Sequence, residues 1–437
     1  MQKDMKFKIA ISIFFSVLFI MIIIGLQVDS SIEAADKKVV STEVIEVAST
    51  EANEITSNNI SSLDAEIKDS NVETTPDAID EDDQDLTDVT CEIVKPKVPF
   101  DLKYNKYLLT YTYILIENTT VNIRKGPSTA EAVIRNASRN EKLNYIETIV
   151  NGGKWYHITW QEKDQQKFGF VDSQVVTKRI FQFDKMHSAI NVVEQEFAKG
   201  KLTFINNYNN WKGKAPAYNG GDLDHYGNRR SQSAPGYPNP SNQKEFIYIG
   251  DGSIVRILSW GNNYTKAYLL NDGKEYFIPT KYLQNPPPIT NIKKAIVIDR
   301  GNQNEAVFEK VGEGWKIISY SLATTGKTGK YHQPTPLGYY YGIEKKERFY
   351  YYVDGTTTIQ GYAPYTIRFA GGAYVHGVGV DFKYNAEGQR IDPGKIEYSK
   401  TIGTVPLSHK CVRNYTSHAK FIYDWYSPGE TIVVVIE

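Results

Sequence analysis

The chain has 437 residues, 41% hydrophobic, 23% charged and 13% aromatic, and its 50 Lys+Arg against 51 Asp+Glu leave a net charge of -1. That composition excludes a collagen, a coiled-coil rod and a polytopic membrane protein, and two Cys cannot staple a disulfide scaffold. The length corresponds to about three domains of ordinary size, and Tyr (31) outnumbers Phe (18) and Trp (6), which suits polar, partly exposed surfaces.

The first element predicted is an apolar helix. Lys3, Lys6 and Lys8 precede an uncharged run from Ile9 to Val28, and twenty such residues are about the length that crosses a bilayer core. Positive charge on the short side keeps that side in the cytoplasm and puts the rest of the chain outside. The run exceeds the usual h-region of a cleaved signal and Ala34-Ala35 lies well past it, so residues 1–28 read as an uncleaved anchor, with a signal segment as the alternative. From Asp29 to Glu92 nineteen acidic residues face only Lys37, Lys38 and Lys68, a net of -16, with no helical or strand period. Residues 29–98 therefore read as a disordered, extended tether. With +2 in residues 1–28, the remainder carries +13. Outside a membrane, a basic body points to a cell-envelope polymer or a membrane surface rather than to nucleic acid, with a generic basic surface as the plainer reading.

Short alternating strands with turn signals follow at 119–124, 143–149, 155–160 and 168–171, the pattern of a small barrel or sandwich. The stretch from Val121 to Ser128, with Asn122-Ile123-Arg124-Lys125-Gly126-Pro127 at its centre, followed by Gly153-Lys154-Trp155-Tyr156 and Phe168-Gly169-Phe170-Val171, resembles the bacterial SH3 domain. The resemblance covers 109–178 and implies docking on wall peptide or glycan, a spacer barrel being the plainer reading. Residues 184–286 start with helical spacing at His187 to Phe197, pass through an Asn/Gly/Pro/Ser-rich stretch at 206–242 with little strand pattern, and return to strands at 246–278. Tyr276 to Leu283 again resembles the closing strand of such a barrel, so 184–286 reads as a second, diverged SH3-like domain with an insertion. Pro286-Pro287-Pro288 stiffens the exit.

The last segment, 293–437, is mainly β, with one helix expected from Ser417 to Tyr426. Four of the seven His and Cys411 fall here. Lys410 and Arg413 flank Cys411, and two cations beside a thiol are expected to favour the thiolate. Thr325-Gly326, Thr335-Pro336-Leu337-Gly338, Pro364-Tyr365, Val375-His376-Gly377 and Ser408-His409-Lys410-Cys411-Val412-Arg413 match, in that order, elements of the L,D-transpeptidases, cysteine enzymes that cross-link bacterial peptidoglycan. The segment is similar to their β-sandwich-like catalytic domain. The resemblance implies Cys411 as nucleophile and His376 as general base, its ring oriented by the Gly377 carbonyl. It implies backbone NH groups of Lys410 and Cys411 as an oxyanion hole, and Arg413, His409, Ser408 and Tyr365 as pocket residues. The implied partners are donor and acceptor stem peptides, with no metal or cofactor. A zinc site from His376, His409, Cys411 and His418 lacks the paired ligand spacings of structural zinc. His418 is expected to face solvent on its helix and His332 to be a loop residue.

Two departures stand out. The family has Gly where this chain has Lys410, which would strain a backbone of positive φ. His376 and Ser408 are also unusually far apart, so 381–400 is expected to be an inserted loop over the site, suited to act as a lid. A catalytically silent wall-binding protein using its SH3-like barrels is the reading from another class.

Overall fold

The computed structural model describes residues 88–90, as backbone, and 96–437 apart from 226. The apolar run, nearly all of the acidic tether and Cys91 lie outside the described residues. Among the described residues no helix is long and apolar enough to cross a membrane. They are mainly β, with two α-helices, as expected for the fold class.

The first barrel comprises β1 (Asp88–Thr90), β2 (Thr112–Leu115), β3 (Thr120–Arg124), β4 (Val133–Ser138), β5 (Lys142–Val150), β6 (Lys154–Glu162), β7 (Gln165–Asp172) and β8 (Thr177–Ile180). Strand order is β4-β3-β7-β6-β5-β2-β8, with β1 beside β5. Alternation drives it: in β3 the inward Val121 and Ile123 are buried while Thr120 and Asn122 are exposed, and they close on Leu143, Ile158 and Val171.

Helix α1 (Phe183–Lys199) buries Phe183, Met186, Ala189, Ile190 and Val193, one face at helical spacing. It falls in the stretch that the sequence joins to the second barrel, yet it packs against β15 (Lys294–Asp299) and β26 (Thr431–Ile436) far along the chain. The middle barrel itself is a sheet of order β14-β13-β12-β9, from β9 (Leu202–Phe204), β12 (Ile254–Ser259), β13 (Tyr264–Leu269) and β14 (Lys274–Pro279). The paired β10 (Ser233–Gly236) and β11 (Ile247–Gly250) pack over it. Strand β10 lies inside the 206–242 stretch, whose Ser-Ala-Pro-Gly sequence carries no strand signal.

The remaining elements form two facing sheets. The first has the order β17-β16-β15-β26-β18, with β16 (Asn304–Val311), β17 (Gly314–Leu322) and β18 (Gly338–Tyr341). Its central pair, β15 and β26, is parallel, and both faces are covered, which is why Ala295 to Ile298 and Ile432 to Val435 are apolar without alternation. Ile296, Ile298, Val433 and Val435 meet the second sheet, whereas Ala295, Val297, Ile432 and Val434 meet α1. The second sheet has the order β19-β20-β21-β25, from β19 (Glu344–Tyr352), β20 (Ile359–Ala370), β21 (Ala373–His376) and β25 (Val412–Arg413), with β22 (Val380–Asp381) extending along β20. A small hairpin of β23 (Lys383–Tyr384) and β24 (Arg390–Ile391) follows. Helix α2 (Thr416–Trp425) covers this sheet through Ile422.

Candidate active site

Strand pairing sets the segments that carry the expected nucleophile and base side by side. Strands β21 and β25 run parallel, with Val375 opposite Val412 and His376 opposite Arg413. Cys411 is therefore one step beyond the paired register, in the turn entering β25. Three bonds anchor His376 and the residue after it. Its carbonyl accepts from Asn414 N at 2.8 Å, Gly377 N donates to Pro364 O at 2.9 Å, and the ring Nδ1 lies 2.6 Å from Gly377 O. A carbonyl can only accept, so Nδ1 carries the proton and Nε2 is left as the basic nitrogen. Gly377 has to be Gly, since a Cβ would stand 2.8 Å from Thr416 Oγ1 and 3.0 Å from Pro364 Cγ. Burial and the Arg413 charge push His376 down to about 3, so the ring stays neutral through the physiological range.

The turn holding Cys411 is braced from two sides. Ser408 is buried and its hydroxyl donates to Cys411 O at 2.5 Å, closing the turn. The buried Thr335 hydroxyl donates to Lys410 O at 2.8 Å and accepts from Gly326 N at 2.8 Å. Lys327 N donates to Ser408 O and Gln333 N to His409 O, which zips the 326–336 loop to the turn. Gly326 lies so close that a Cβ would sit 2.2 Å from Gln333 O and 2.8 Å from Lys410 Cα.

Lys410 is absent from the residues of positive φ, so the strain expected of a Lys in the family's Gly position does not arise. Its Nζ donates to Gln232 Oε1 at 3.3 Å, and burial lowers its pKa to about 8. The Cys411 thiol lies 3.6 Å from Gly372 O. The expectation that the two flanking cations make it acidic needs correction: burial is the largest effect and raises its pKa, while the Tyr374 backbone, Arg413 and Lys410 only partly oppose it.

The other expected site residues divide. Arg413 sits on β25 opposite His376, and its charge reaches both the ring and the thiol. His409 is exposed. Its Nε2 lies 2.8 Å from Asp354 Oδ1, in the turn between β19 and β20, and its ring stacks on His332 at 3.9 Å. Among the described residues His332, Asp354 and His409 form the one cluster whose ligand atoms, within 4.8 Å of one another, could share a metal ion. Two of the three are exposed, and Asp354 is already engaged by His409. Tyr365, with φ of 54°, turns its hydroxyl to Lys395 at 2.7 Å and its ring to Lys395, Lys420 and Tyr423, away from the Cys411 turn.

One expectation fails. His418 is fully buried rather than solvent-facing, with Nε2 3.1 Å from Ser319 Oγ and Nδ1 3.3 Å from the equally buried Glu305. The 381–400 segment is tied down by side-chain bonds to the strands before it and to α2. It bonds to β19 through Asp381–Tyr351, Asp392–Arg348 and Lys395–Glu347 and to β20 through Asp392–Tyr362 and Lys395–Tyr365, and Glu397 then accepts from Ser417 N at 2.9 Å, capping α2. Among the described residues none of its hydrogen bonds reaches the Cys411 turn or the 326–336 loop.

What covers the turn comes from the middle barrel, and no sequence pattern warns of it. Besides Gln232, Tyr208 packs its ring under Arg368 at 4.8 Å, with Gly372 beside it. Buried Asp251 pairs with Arg368 at 2.5 Å and accepts from Gly371 N at 3.2 Å. The nearest thing to a signal is the Gly371-Gly372 pair, where a Cβ on Gly371 would collide with Gln232.

Two parts of the chain match known families. Residues 293–435 match the family model of the L,D-transpeptidase catalytic domain, and residues 119–177 match that of the bacterial SH3 domain. No curated protein matches the chain significantly. Among solved structures, an L,D-transpeptidase from Mycobacterium smegmatis is 17% identical over 42% of this chain and 82% of its own, with a TM-score of 0.26. An L,D-transpeptidase from Mycobacterium tuberculosis is 16% identical over 47% and 92%, also with a TM-score of 0.26. A fused Zn-dependent amidase/peptidase/peptidoglycan-binding protein from Clostridium acetobutylicum is 22% identical over 33% of this chain and 51% of its own, about half its length, with a TM-score of 0.23.

Proposed function

We propose that the chain is a peptidoglycan L,D-transpeptidase, and the observation that carries this is the pairing of a braced Cys411 turn with a neutral His376 whose Nδ1 is committed to Gly377 O. The thiol gives its proton to His376 Nε2 and its sulfur attacks the carbonyl between the third residue of a tetrapeptide stem and the terminal D-Ala. Backbone NH groups of Lys410 and Cys411 meet the developing oxyanion. His376 returns the proton to the departing D-Ala nitrogen, leaving a thioester. An amine of a neighbouring stem then attacks the thioester, its surplus proton passing to His376 and on to the regenerated thiol, which joins the third residue of the donor to the acceptor.

In this reading the 9–28 run anchors the chain in the bacterial membrane with its body outside, the acidic tether gives reach, and the SH3-like barrels hold wall polymer. The test incubates the ectodomain with tetrapeptide stems and follows D-Ala release and intact mass. The expected result is an acyl adduct on wild-type protein that is lost in Cys411→Ala. Absence of both adduct and D-Ala release would leave the wall-binding reading in its place.

A further inference from the structure

A cleft of about 830 Å³ lies between the middle barrel and the catalytic sheets. One wall carries Arg229, Gln232 and Tyr248; the other carries Pro336, Gly371 and Lys410. The cleft reaches the thiol's surroundings, since Gly372, the residue after Gly371, offers its carbonyl to Cys411.

Its walls are fixed. The turn at Gly252 fits against β20 so closely that a Cβ would lie 1.8 Å from Phe369 O, and Gly252 O accepts from Tyr341 N at 3.0 Å. Beside it the Asp251–Arg368 pair is buried on both sides. The middle barrel therefore contributes a permanent wall rather than a mobile flap.

The charges in this cleft do not balance locally. Arg229 stands near enough to Lys410 for its field to oppose the Lys410 charge. Among the described residues neither has an ion-pair partner, and Lys410 Nζ donates only to the neutral Gln232 amide. Asp251, whose charge acts on Lys410, is consumed by Arg368, Asn207 N and Gly371 N. Asp272 is taken by the Tyr276 hydroxyl and Lys274 N, and Arg300 is paired with Glu437. Lys274 and Lys330, also on the rim, add positive charge without an ion pair among the described residues. Arg229 is exposed on the rim and Lys410 is half-buried, so each keeps a charge that an anion placed between them would pair.

We propose that this cleft is a substrate subsite that takes a free carboxylate of a peptidoglycan stem, with Arg229 of the middle barrel as the residue that binds it. The proposal rests on the transpeptidase reading for the identity of the substrate. The carboxylate belongs either to the donor stem, bound before acylation, or to the acceptor stem, bound after it. In both cases specificity is set by a residue outside the catalytic domain.

The experiment compares full-length wild type, Arg229→Ala and Arg229→Lys on stems with free carboxylates and on stems whose carboxylates are converted singly to carboxamides. Adduct formation on Cys411 and cross-linked product are followed separately. Loss of one charged hydrogen bond should raise KM by about tenfold in Arg229→Ala for the stem bearing the recognised carboxylate. Its kcat should stay within about twofold, the corresponding carboxamide should erase the difference, and Arg229→Lys should restore most of it. An effect at the adduct step assigns the donor, and one confined to cross-linking assigns the acceptor. Equal behaviour of wild type and Arg229→Ala on every stem, or equal impairment on acid and amide, overturns the subsite. If wild type forms no adduct at all, the transpeptidase reading fails. The subsite is then judged by calorimetric binding of acid and amide stems to two proteins, the Cys411→Ala single variant and the Cys411→Ala, Arg229→Ala double variant. Loss of preference for the acid in the double variant is the required result.

Discussion

At the scale of single residues, the proposed mechanism calls on a neutral imidazole and a thiol that burial keeps protonated. His376 is held low by burial and Arg413, and the thiol is held high by burial against the pull of Lys410 and Arg413. The sign follows directly. The proposed reaction needs His376 unprotonated, which holds everywhere above about 3, so no acid limb belongs between about pH 5 and 7. The thiolate gains with rising pH, so alkylation of Cys411 by iodoacetamide should climb through a single step above the ordinary thiol range of about 8.5. Arg413→Gln removes a positive charge that persists at that pH and should move the step still higher. A step near the ordinary imidazole value of about 6.5 would show that His376 titrates normally and would sink this account. The buried pair makes a second test: His418→Ala strands Glu305, fully buried, without its partner. A loss of about 3–5 kcal/mol is expected in urea unfolding, and adding Glu305→Leu should return part of it; no recovery would mean the pair is not the source.

At the scale of elements, the chemistry-bearing turn is positioned by loops that are distant in sequence but zipped together by backbone bonds. Gly326 is the tightest point, with Lys410 Cα and Gln333 O both inside the space a Cβ would need. Neither neighbour is a flexible side chain, so Gly326→Ala has to displace the Cys411 turn itself. A shift on the order of 1 Å at a reacting atom costs about 100-fold in rate, whereas the folding cost of overpacking is about 1–3 kcal/mol. Activity assays and thermal melts on this variant should therefore diverge, and a protein with lowered melting temperature but near-normal turnover would refute the positioning role. This element was legible in outline: Thr325-Gly326, Thr335 and Ser408 to Arg413 stand out as residue types, and the fold explains their order by bonding one to the next. The 381–400 segment was legible only as extra length. Its destination depends on Arg348, Tyr351 and Ser417, which are ordinary surface residues until the strands bring them alongside.

At the scale of the whole molecule, the least legible feature is the dependence of the catalytic sheets on the chain before them. Hydrophobic patterning shows that β15 and β26 are buried on both faces but not by what, because any amphipathic helix satisfies the pattern. Here the partner is α1, with Met186, Ile190 and Val193 against Val297, Ile432 and Val434. The edge strand β17 is likewise completed from upstream, since Ile317 N donates to Pro99 O and Asp101 N to Ile317 O. The first barrel is bonded on as well, through Tyr113 Oη to Asn302 O at 2.9 Å and Arg179 to Gly403 O at 3.1 Å. A chain beginning at residue 293, the start of the matched catalytic family, would expose the α1 face and the edge of β17 together. Exposed apolar faces and unpaired strand edges are the surfaces that aggregate. Residues 293–437 expressed alone should therefore be insoluble or bind a hydrophobic dye strongly, while residues 96–437 should unfold in one cooperative transition that includes the barrels. A soluble, active 293–437 fragment, or separate melting of barrels and catalytic sheets in 96–437, would show that the parts are independent and that the upstream chain serves only for attachment.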